Sequence, residues 1–336
     1  MLRDSPRRRA LTADEYVAGT IASNIAVLAR TLTLIESSSP RHQSLAEEVL
    51  TRLLPHSGQS VRVGITGVPG VGKSTFIEAL GLLLVGRGLR VAVLAVDPSS
   101  GISGGSILGD KTRMSRLAAE TAAYIRPSPT AGTLGGVARK TREAMLVCEA
   151  AGYQVVLIET VGVGQSETVV AGMTDCFLAL MLPGTGDELQ GIKRGLLELV
   201  DVITVNKADG VLQSAAELAA QQYREALQSL TGREHNPCAV LTCSGLYKQG
   251  IDAVWAAVEK RHAGLTNSGG LLERRRSQNL GWLWSLVADQ LQQAVHTHPS
   301  VQKIQGDLET AVLAGTTPAT AAARRILEAF AVPSDS

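Results

Sequence analysis

The chain contains 336 residues, of which 45% are hydrophobic and 19% charged, and its formal net charge is +1. The apolar content suffices for a continuous core and excludes intrinsic disorder, while the near-neutral charge and only 3% aromatic residues argue against a nucleic-acid partner. No apolar run reaches the roughly 18 residues of a membrane span, and no apolar stretch typical of a signal peptide follows the basic N-terminus.

The region between residues 12 and 56 has a helical pattern. Pro40 and Pro55 are expected to interrupt it, and we predict an N-terminal helical extension over residues 1–58. Apolar residues recur there at three- and four-residue spacing, namely Leu28, Leu32, Ile35, Leu45, Val49 and Leu53.

From residue 61 onward, short apolar runs alternate with helical stretches. Predicted strands cover residues 61–66, 90–96, 122–127, 154–159, 175–182, 201–206 and 238–243. Several are almost wholly apolar, as expected of strands covered by helices on both faces. The alternation predicts an α/β domain with a mostly parallel central sheet over residues 59–265. Nucleotides bind such sheets at the carboxyl ends of the strands.

The first loop of this domain carries a phosphate-binding motif. GVPGVGKS, residues 67–74, matches G-x-x-x-x-G-K-[ST] between a predicted strand and a helix. Its glycines let backbone N–H groups face the phosphates, Lys73 is expected to reach the β- and γ-phosphates, and Ser74 to bind Mg²⁺. The predicted nucleotide contacts are Gly67, Val68, Pro69, Gly70, Val71, Gly72, Lys73, Ser74 and Thr75.

Acidic residues further along the chain can complete a magnesium site. Asp97 and Glu159 close apolar strands, and Asp110 lies in the loop GISGGSILGDKTRM. Buried acids are costly unless they are paired or bind a metal. We therefore predict that all three bind the metal together with Ser74, although Asp110 could instead cap a helix.

ETVGVG, beginning at Glu159, occupies the place of an acid-x-x-Gly switch motif. Gly162 is expected to donate its N–H to the γ-phosphate. No glutamine follows Gly162 directly, and Gln165 lies three positions further on. This arrangement predicts slow intrinsic hydrolysis that a partner accelerates. Three arginines could assist or simply form surface ion pairs, namely Arg113, Arg139 and Arg142.

NKAD, which ends at Asp209, has the N-K-x-D form of guanine recognition and follows a predicted strand. Asp209 would accept hydrogen bonds from guanine N1–H and the exocyclic amine, a donor pair that adenine lacks. Lys207 would lie along the base, and Asn206 would brace the loop. The segment TCSG after the next strand predicts a second base-contacting loop with Ser244 and Gly245.

Strand patterns stop after about residue 265, and residues 266–336 are predicted to form a C-terminal helical region. NSGG, residues 267–270, indicates a hinge. Trp282 and Trp284 cannot share one narrow helical face, so one could face a partner or second copy; packing within the monomer is the alternative. Helices are predicted over residues 271–295, 298–313 and 317–330.

The four cysteines indicate a reducing compartment. They are Cys148, Cys176, Cys238 and Cys243, and none belongs to a C-x-x-C pair. Such cysteines usually pack as small hydrophobic residues. With no targeting or spanning segment predicted, we expect a cytoplasmic protein without a membrane partner.

The combined motifs resemble the MeaB/ArgK family of GTPases, the chaperones of adenosylcobalamin-dependent acyl-CoA mutases. The resemblance implies a P-loop NTPase fold, Mg²⁺ with GTP as substrate and GDP as product, and a homodimer held by a C-terminal helical arm. It implies a role in gating cofactor delivery to the mutase and protecting it. The sequence shows no cobalamin site, and we propose none in this chain. The segments that carry it are residues 67–81, 95–100, 109–114, 126–143, 158–167 and 186–195.

The stretch LPGTGDELQGIK, ending at Lys193, matches the family's mobile third switch, which implies that Lys193 couples partner binding to catalysis. An ordinary strand-to-helix loop is the alternative. The segment TCSGLYKQGID departs from the family, whose members usually have Ala after the Ser and a Thr-Gly pair further on. The predicted catalytic residues are Lys73, Glu159, Gly162 and Lys193.

The identity of the partner and three alternative functions stay open at this stage. Methylmalonyl-CoA mutase is the default partner, and the isobutyryl-CoA, ethylmalonyl-CoA and 2-hydroxyisobutyryl-CoA mutases remain open. The alternatives are a metal-insertion GTPase, for which His296 and His298 stand without a Cys- or His-rich tract, a kinase or transport ATPase, and a binding module without turnover.

Overall fold

The structure is a computed structural model that describes residues 9–37, 39–96, 114–127, 134–160, 166–184, 194–231 and 238–331. It divides into two compact units, Met1–Arg275 and Arg276–Ser336. Among the residues that the structure describes, no helix is both long and apolar enough to cross a bilayer.

The first unit is built on a seven-stranded sheet in the order β3-β2-β4-β1-β5-β6-β7. Every neighbouring pair is parallel, which confirms the predicted fold class. Five strands lie within the predicted ranges, and the other two, which begin at Val61 and Val155, each end one residue later than predicted. The strands are β1 (Val61–Gly67), β2 (Val91–Val96), β3 (Ala123–Arg126), β4 (Val155–Thr160), β5 (Cys176–Met181), β6 (Val202–Val205) and β7 (Ala239–Thr242).

Helices follow the strands and cover the sheet. In β4 and β5 every residue is buried, as the apolar runs predict. On one face, α4 and α10 pack on the sheet in a continuous core that includes Ile65, Leu157, Phe76 and Trp255. The helices of this part are α4 (Lys73–Gly86), α5 (Ser115–Ala118), α6 (Leu134–Ala150), α7 (Ser166–Ala171), α8 (Arg194–Leu199), α9 (Gln213–Thr231) and α10 (Ile251–Asn267).

The N-terminal helices belong to the same compact unit and pack against α6. They are α1 (Ala13–Ile21), α2 (Ile25–Ile35) and α3 (Pro40–Leu53). Thr12 and Glu15 form a capping box at α1, and Asn24 caps α2. Pro40 is the first residue of α3 and so starts a helix, a position where the missing N–H costs no hydrogen bond.

The second unit is wholly helical in its described part. It contains α12 (Pro299–Leu313) and α13 (Ala319–Ala331), while α11 (Gly270–Thr297) crosses the boundary between the units. Between α10 and α11 only Ser268 and Gly269 interrupt the helices, with Gly269 at φ +73°. In this unit α12 and α13 pack together, and His298 meets Phe330 edge to face at 5.3 Å.

Candidate nucleotide site

The glycine-rich loop joins the end of β1 to the start of α4. Gly70 and Gly72 have φ values of +82° and +95°, a region that favours glycine. Any Cβ on Gly72 would lie 2.9 Å from Asn206 Nδ2, and one on Gly67 would lie 2.5 Å from the Leu180 carbonyl oxygen. The loop therefore needs its glycines both for backbone conformation and for close approach to β5 and to the residue after β6.

The side chain of Lys73 packs against this loop. Its Nζ donates to the carbonyl oxygen of Gly67 at 2.7 Å and to that of Val68 at 3.4 Å. Burial lowers the pKa of the Lys73 ammonium, and the nearby carboxylates of Glu159 and Glu167 partly offset this effect. The ammonium is thus held where the loop can present it to a phosphate.

Ser74 and Glu159 form the described part of the predicted metal site. Ser74 Oγ donates to Glu159 Oε1 at 3.3 Å, although 85 residues separate them in sequence. Glu159 is 8% exposed and lies one residue before the end of β4. A hydroxyl and a carboxylate side by side are hard oxygen donors of the kind that Mg²⁺ prefers. The residues present therefore fit a magnesium ion.

Several predicted site residues lie outside the described residues. These are Asp97, Asp110, Gly162 and Lys193, together with Gln165 and Arg113. Two other arginines are described. Arg139 pairs with Glu143 one helical turn away, whereas Arg142 is buried, donates to the Gly172 carbonyl oxygen, and has its pKa lowered to about 10 by burial. A surface ion pair thus accounts for Arg139, whereas Arg142 lies in the interior of the fold.

Asn206 connects the phosphate loop with both base loops. Its Nδ2 donates to the Val71 carbonyl oxygen at 2.8 Å, and its Oδ1 accepts from Gly245 N at 3.0 Å and from Cys243 Sγ at 3.5 Å. The side chain is buried. Each polar atom of the side chain therefore has a partner, and these hydrogen bonds join the three loops.

Asp209 is oriented by the second base loop. Ser244 Oγ donates to Asp209 Oδ2 at 2.5 Å and accepts from Tyr247 N at 3.2 Å. Ser244 is fully buried and pairs through its backbone with Gln249. The hydrogen bond that the Ser244 hydroxyl can donate therefore goes to the Asp209 carboxylate. Gly245 lies against α4, because a Cβ there would come within 3.1 Å of Phe76 backbone atoms.

Lys207 has φ +60° and an exposed side chain. Its neighbour Ala208 donates its N–H to the Cys243 carbonyl oxygen at 2.9 Å, so the two base loops share a backbone hydrogen bond. Sequence patterns missed one contact at this edge, between the hydroxyls of Thr66 and Thr160 at 2.8 Å. A single threonine in an apolar strand belongs to no motif, so the sequence could not indicate this hydrogen bond.

All these groups lie at the carboxyl edge of a parallel sheet, with a glycine-rich phosphate loop entering a helix beside an N-K-x-D loop. This combination of fold and site defines a P-loop NTPase. A model of the family described as methylmalonyl Co-A mutase-associated GTPase MeaB matches residues 28–300. The chain belongs to this MeaB family of GTPases, which confirms the family and the enzyme class predicted from sequence.

Individual proteins agree with this assignment. A putative GTPase of Caulobacter vibrioides is 55% identical over 322 residues, 96% of this chain and 98% of the relative. The Mus musculus protein named methylmalonic aciduria type A homolog, mitochondrial, is 43% identical over 329 residues, 94% of this chain and 79% of the relative. A crystal structure of a LAO/AO transport system kinase matches with a TM-score of 0.76 and 38% identity, covering 96% of this chain and 98% of its own.

Proposed function

We propose that this GTPase uses magnesium and GTP to gate adenosylcobalamin delivery to an acyl-CoA mutase and to protect that mutase. The observation that supports GTP binding is the position of the Asp209 carboxylate. Ser244 donates a hydrogen bond to it, and Asn206 of the same loop is hydrogen-bonded to the phosphate loop. The family description and the name of the mouse relative support the mutase part.

Selection of guanine would rest on Asp209. Ser244 occupies one side of Oδ2, and the carboxylate keeps further lone pairs for the guanine N1–H and amine. Adenine would leave this carboxylate without donors, which is costly in a partly enclosed site. Lys207 would lie along the base, and Gly245 would face it from the second loop.

Hydrolysis would proceed by in-line attack of water on the γ-phosphate, with catalysis by position and charge. Lys73 would exchange its contact with the Gly67 carbonyl for phosphate oxygens. Backbone N–H groups of residues 67–75, other than Pro69, would cradle the phosphates. Ser74 and Glu159 would hold Mg²⁺ together with Asp97 and Asp110. The bound ion would neutralise phosphate charge. Gly162 would contact the γ-phosphate.

Partner contacts would involve the C-terminal region and the segment with Lys193. We assign residues 266–336 to an arm that holds a homodimer, after a G domain at 59–265 and an N-terminal extension at 1–58. Along α11 an exposed apolar stripe supports this arm, formed by Leu280, Leu283, Trp284 and Leu291. Lys193 would transmit mutase binding to the hydrolytic site.

A cytoplasmic location completes the proposal. The four cysteines are free, and burial raises the pKa of the Cys148, Cys238 and Cys243 thiols to about 12. Buried thiols of this kind are unreactive. They support a packing role in a reducing compartment.

The deciding experiment measures GTP and ATP turnover by the purified protein, alone and with each adenosylcobalamin-dependent mutase of the same genome. We expect slow GTP turnover, a large acceleration by one mutase, and no acceleration with ATP. A Lys193→Ala variant should lose the acceleration, and a variant that kept both basal and mutase-stimulated hydrolysis would exclude the coupling role of Lys193. Absence of stimulation by every mutase would contradict the chaperone role and leave only the GTPase.

A further inference from the structure

Strands β1 and β4 part at the nucleotide edge of the sheet. Their parallel register runs from Val61 opposite Val155 to Ile65 opposite Glu159 and ends there. One residue further, β1 pairs only with β5 and β4 only with β2. The backbone ladder therefore stops at the residue that presents the Glu159 carboxylate.

Thr66 and Thr160 provide the next link between these two strands. Thr160 Oγ1 donates to Thr66 Oγ1 at 2.8 Å. The two residues are 1% and 0% exposed. Their face of β1 is tightly covered, since a Cβ on Gly64, two residues earlier, would lie 2.7 Å from Phe177 and 2.8 Å from Val170. Because water cannot replace a partner there, each hydroxyl depends on the other.

This hydrogen bond lies on the opposite face of the sheet from the metal site. Successive side chains of a strand alternate between faces. The Glu159 carboxylate is directed to α4, where it accepts from Ser74 Oγ, while Thr160 is directed away from α4. The threonine pair touches neither the Ser74 hydroxyl nor the Glu159 carboxylate, and acts on both through the backbone of β1 and β4.

We infer that Thr66 and Thr160 are a positioning pair for magnesium. Their hydrogen bond replaces the missing rung of the sheet and fixes the strand of Glu159 relative to the loop that leads to Ser74. The inference rests on the proposed magnesium role of Ser74 and Glu159. Groups that orient metal ligands change metal affinity by about 10–100-fold when they are removed.

The test compares Thr160→Val, Thr66→Val, the double variant and Thr160→Ser. Valine keeps the branched shape and removes the hydroxyl, while serine keeps a hydroxyl. The matched control is Thr204→Val in β6, whose buried hydroxyl has no hydrogen-bond partner among the described residues. The same substitution is thus made in the same sheet without breaking a hydrogen bond.

The readout is equilibrium binding of a fluorescent GTP analogue, first in EDTA and then over a magnesium titration. All variants should bind like wild type in EDTA. Thr160→Val and Thr66→Val should each need about tenfold more Mg²⁺ for the half-maximal effect. The double variant should match the single variants, because one bond is lost in all three. Thr160→Ser and Thr204→Val should stay near wild type.

Three outcomes would contradict the positioning role of Thr66 and Thr160. A magnesium midpoint unchanged in both valine variants would show that the bond does not position the site. Additive losses in the double variant would show that the two residues act separately. If Thr160→Val does not fold, Thr66→Val breaks the same bond from the other strand. A wild-type protein without any magnesium effect would instead reject the proposed metal site, and the pair with it.

Discussion

Ser244 donates a hydrogen bond to Asp209 across 35 residues of sequence, with Oγ 2.5 Å from Oδ2. The serine is fully buried, and its hydroxyl also accepts from Tyr247 N. The Asp209 carboxylate is therefore oriented before a nucleotide binds. The carboxylate proposed to read guanine is thus preorganised by a loop that follows a different strand.

Asp209→Asn should shift nucleotide preference from GTP toward xanthosine triphosphate. The amide offers a donor where the carboxylate accepted, which complements the O2 of xanthine and opposes the amine of guanine. Competition binding with GTP, ATP and xanthosine triphosphate measures the shift. Unchanged GTP selectivity would show that Asp209 does not read the base.

Ser244→Ala should weaken GTP binding without changing the preferred base. A hydrogen bond to a charged group contributes about 1.5–3 kcal/mol, so the loss is expected to be roughly tenfold or more. Titration calorimetry with GTP gives the value. The control is Ser229→Ala, since Ser229 is an exposed serine of α9 that donates only to the Glu225 carbonyl. Equal affinities of the two variants would contradict an orienting role.

GTP affinity should fall with rising pH before the ordinary lysine pKa is reached. Burial lowers the pKa of Lys73, and a neutral amine loses its attraction to the phosphates.

The lowered pKa of Lys73 also affects stability. The folded protein binds fewer protons than the unfolded chain, so the unfolding free energy should rise with pH between the lowered pKa and the ordinary value. Comparison with Lys73→Met in denaturant unfolding from pH 8 to 10.5 isolates this contribution, and parallel pH profiles would count against it.

Glu149→Gln should destabilise the first unit strongly. Arg62 and Glu149 form a two-pronged ion pair with distances of 2.7 and 2.8 Å, and both side chains are almost completely buried. Removing one partner of such a pair costs about 3–5 kcal/mol. Denaturant unfolding should show this loss. The control is Arg52→Ala, because Arg52 makes only exposed ion pairs and should lose about 1 kcal/mol or less; similar losses would contradict the prediction.

The seven strands could be predicted from the sequence because each carries its own apolar run between loops. The phosphate loop could be predicted for a similar reason, since the eight contiguous residues 67–74 supply both the backbone shape and the charge. Strand order could not be predicted, because β1 lies between β4 and β5 and its partners are far away in the chain. Helix caps such as Asn24 depend on local side-chain geometry that apolar spacing does not reveal.

The candidate site could likewise be predicted only in part from the sequence. Asn206 and Asp209 are recognisable from N-K-x-D alone, yet the acceptor of Asn206 is the Val71 carbonyl oxygen, 135 residues away. Ser244 was predicted as a nucleotide contact, and the fold shows its hydroxyl directed at Asp209. Spacing along a chain indicates residue types that can bind a phosphate or a base. It carries no information on which oxygen lies within 3 Å of which donor.

By itself the sequence determined the α/β class, the phosphate and base motifs and the family, because these depend on local periodicity and on short, contiguous residue patterns. The sequence predicted Ser74 and Glu159 at one metal site, and the tertiary structure added their direct hydrogen bond. The tertiary structure alone decided that Thr66 meets Thr160 and that Arg62 is paired in the interior. Those contacts join residues that are 85 or more positions apart. They form only when the order of strands in the folded sheet brings distant segments side by side.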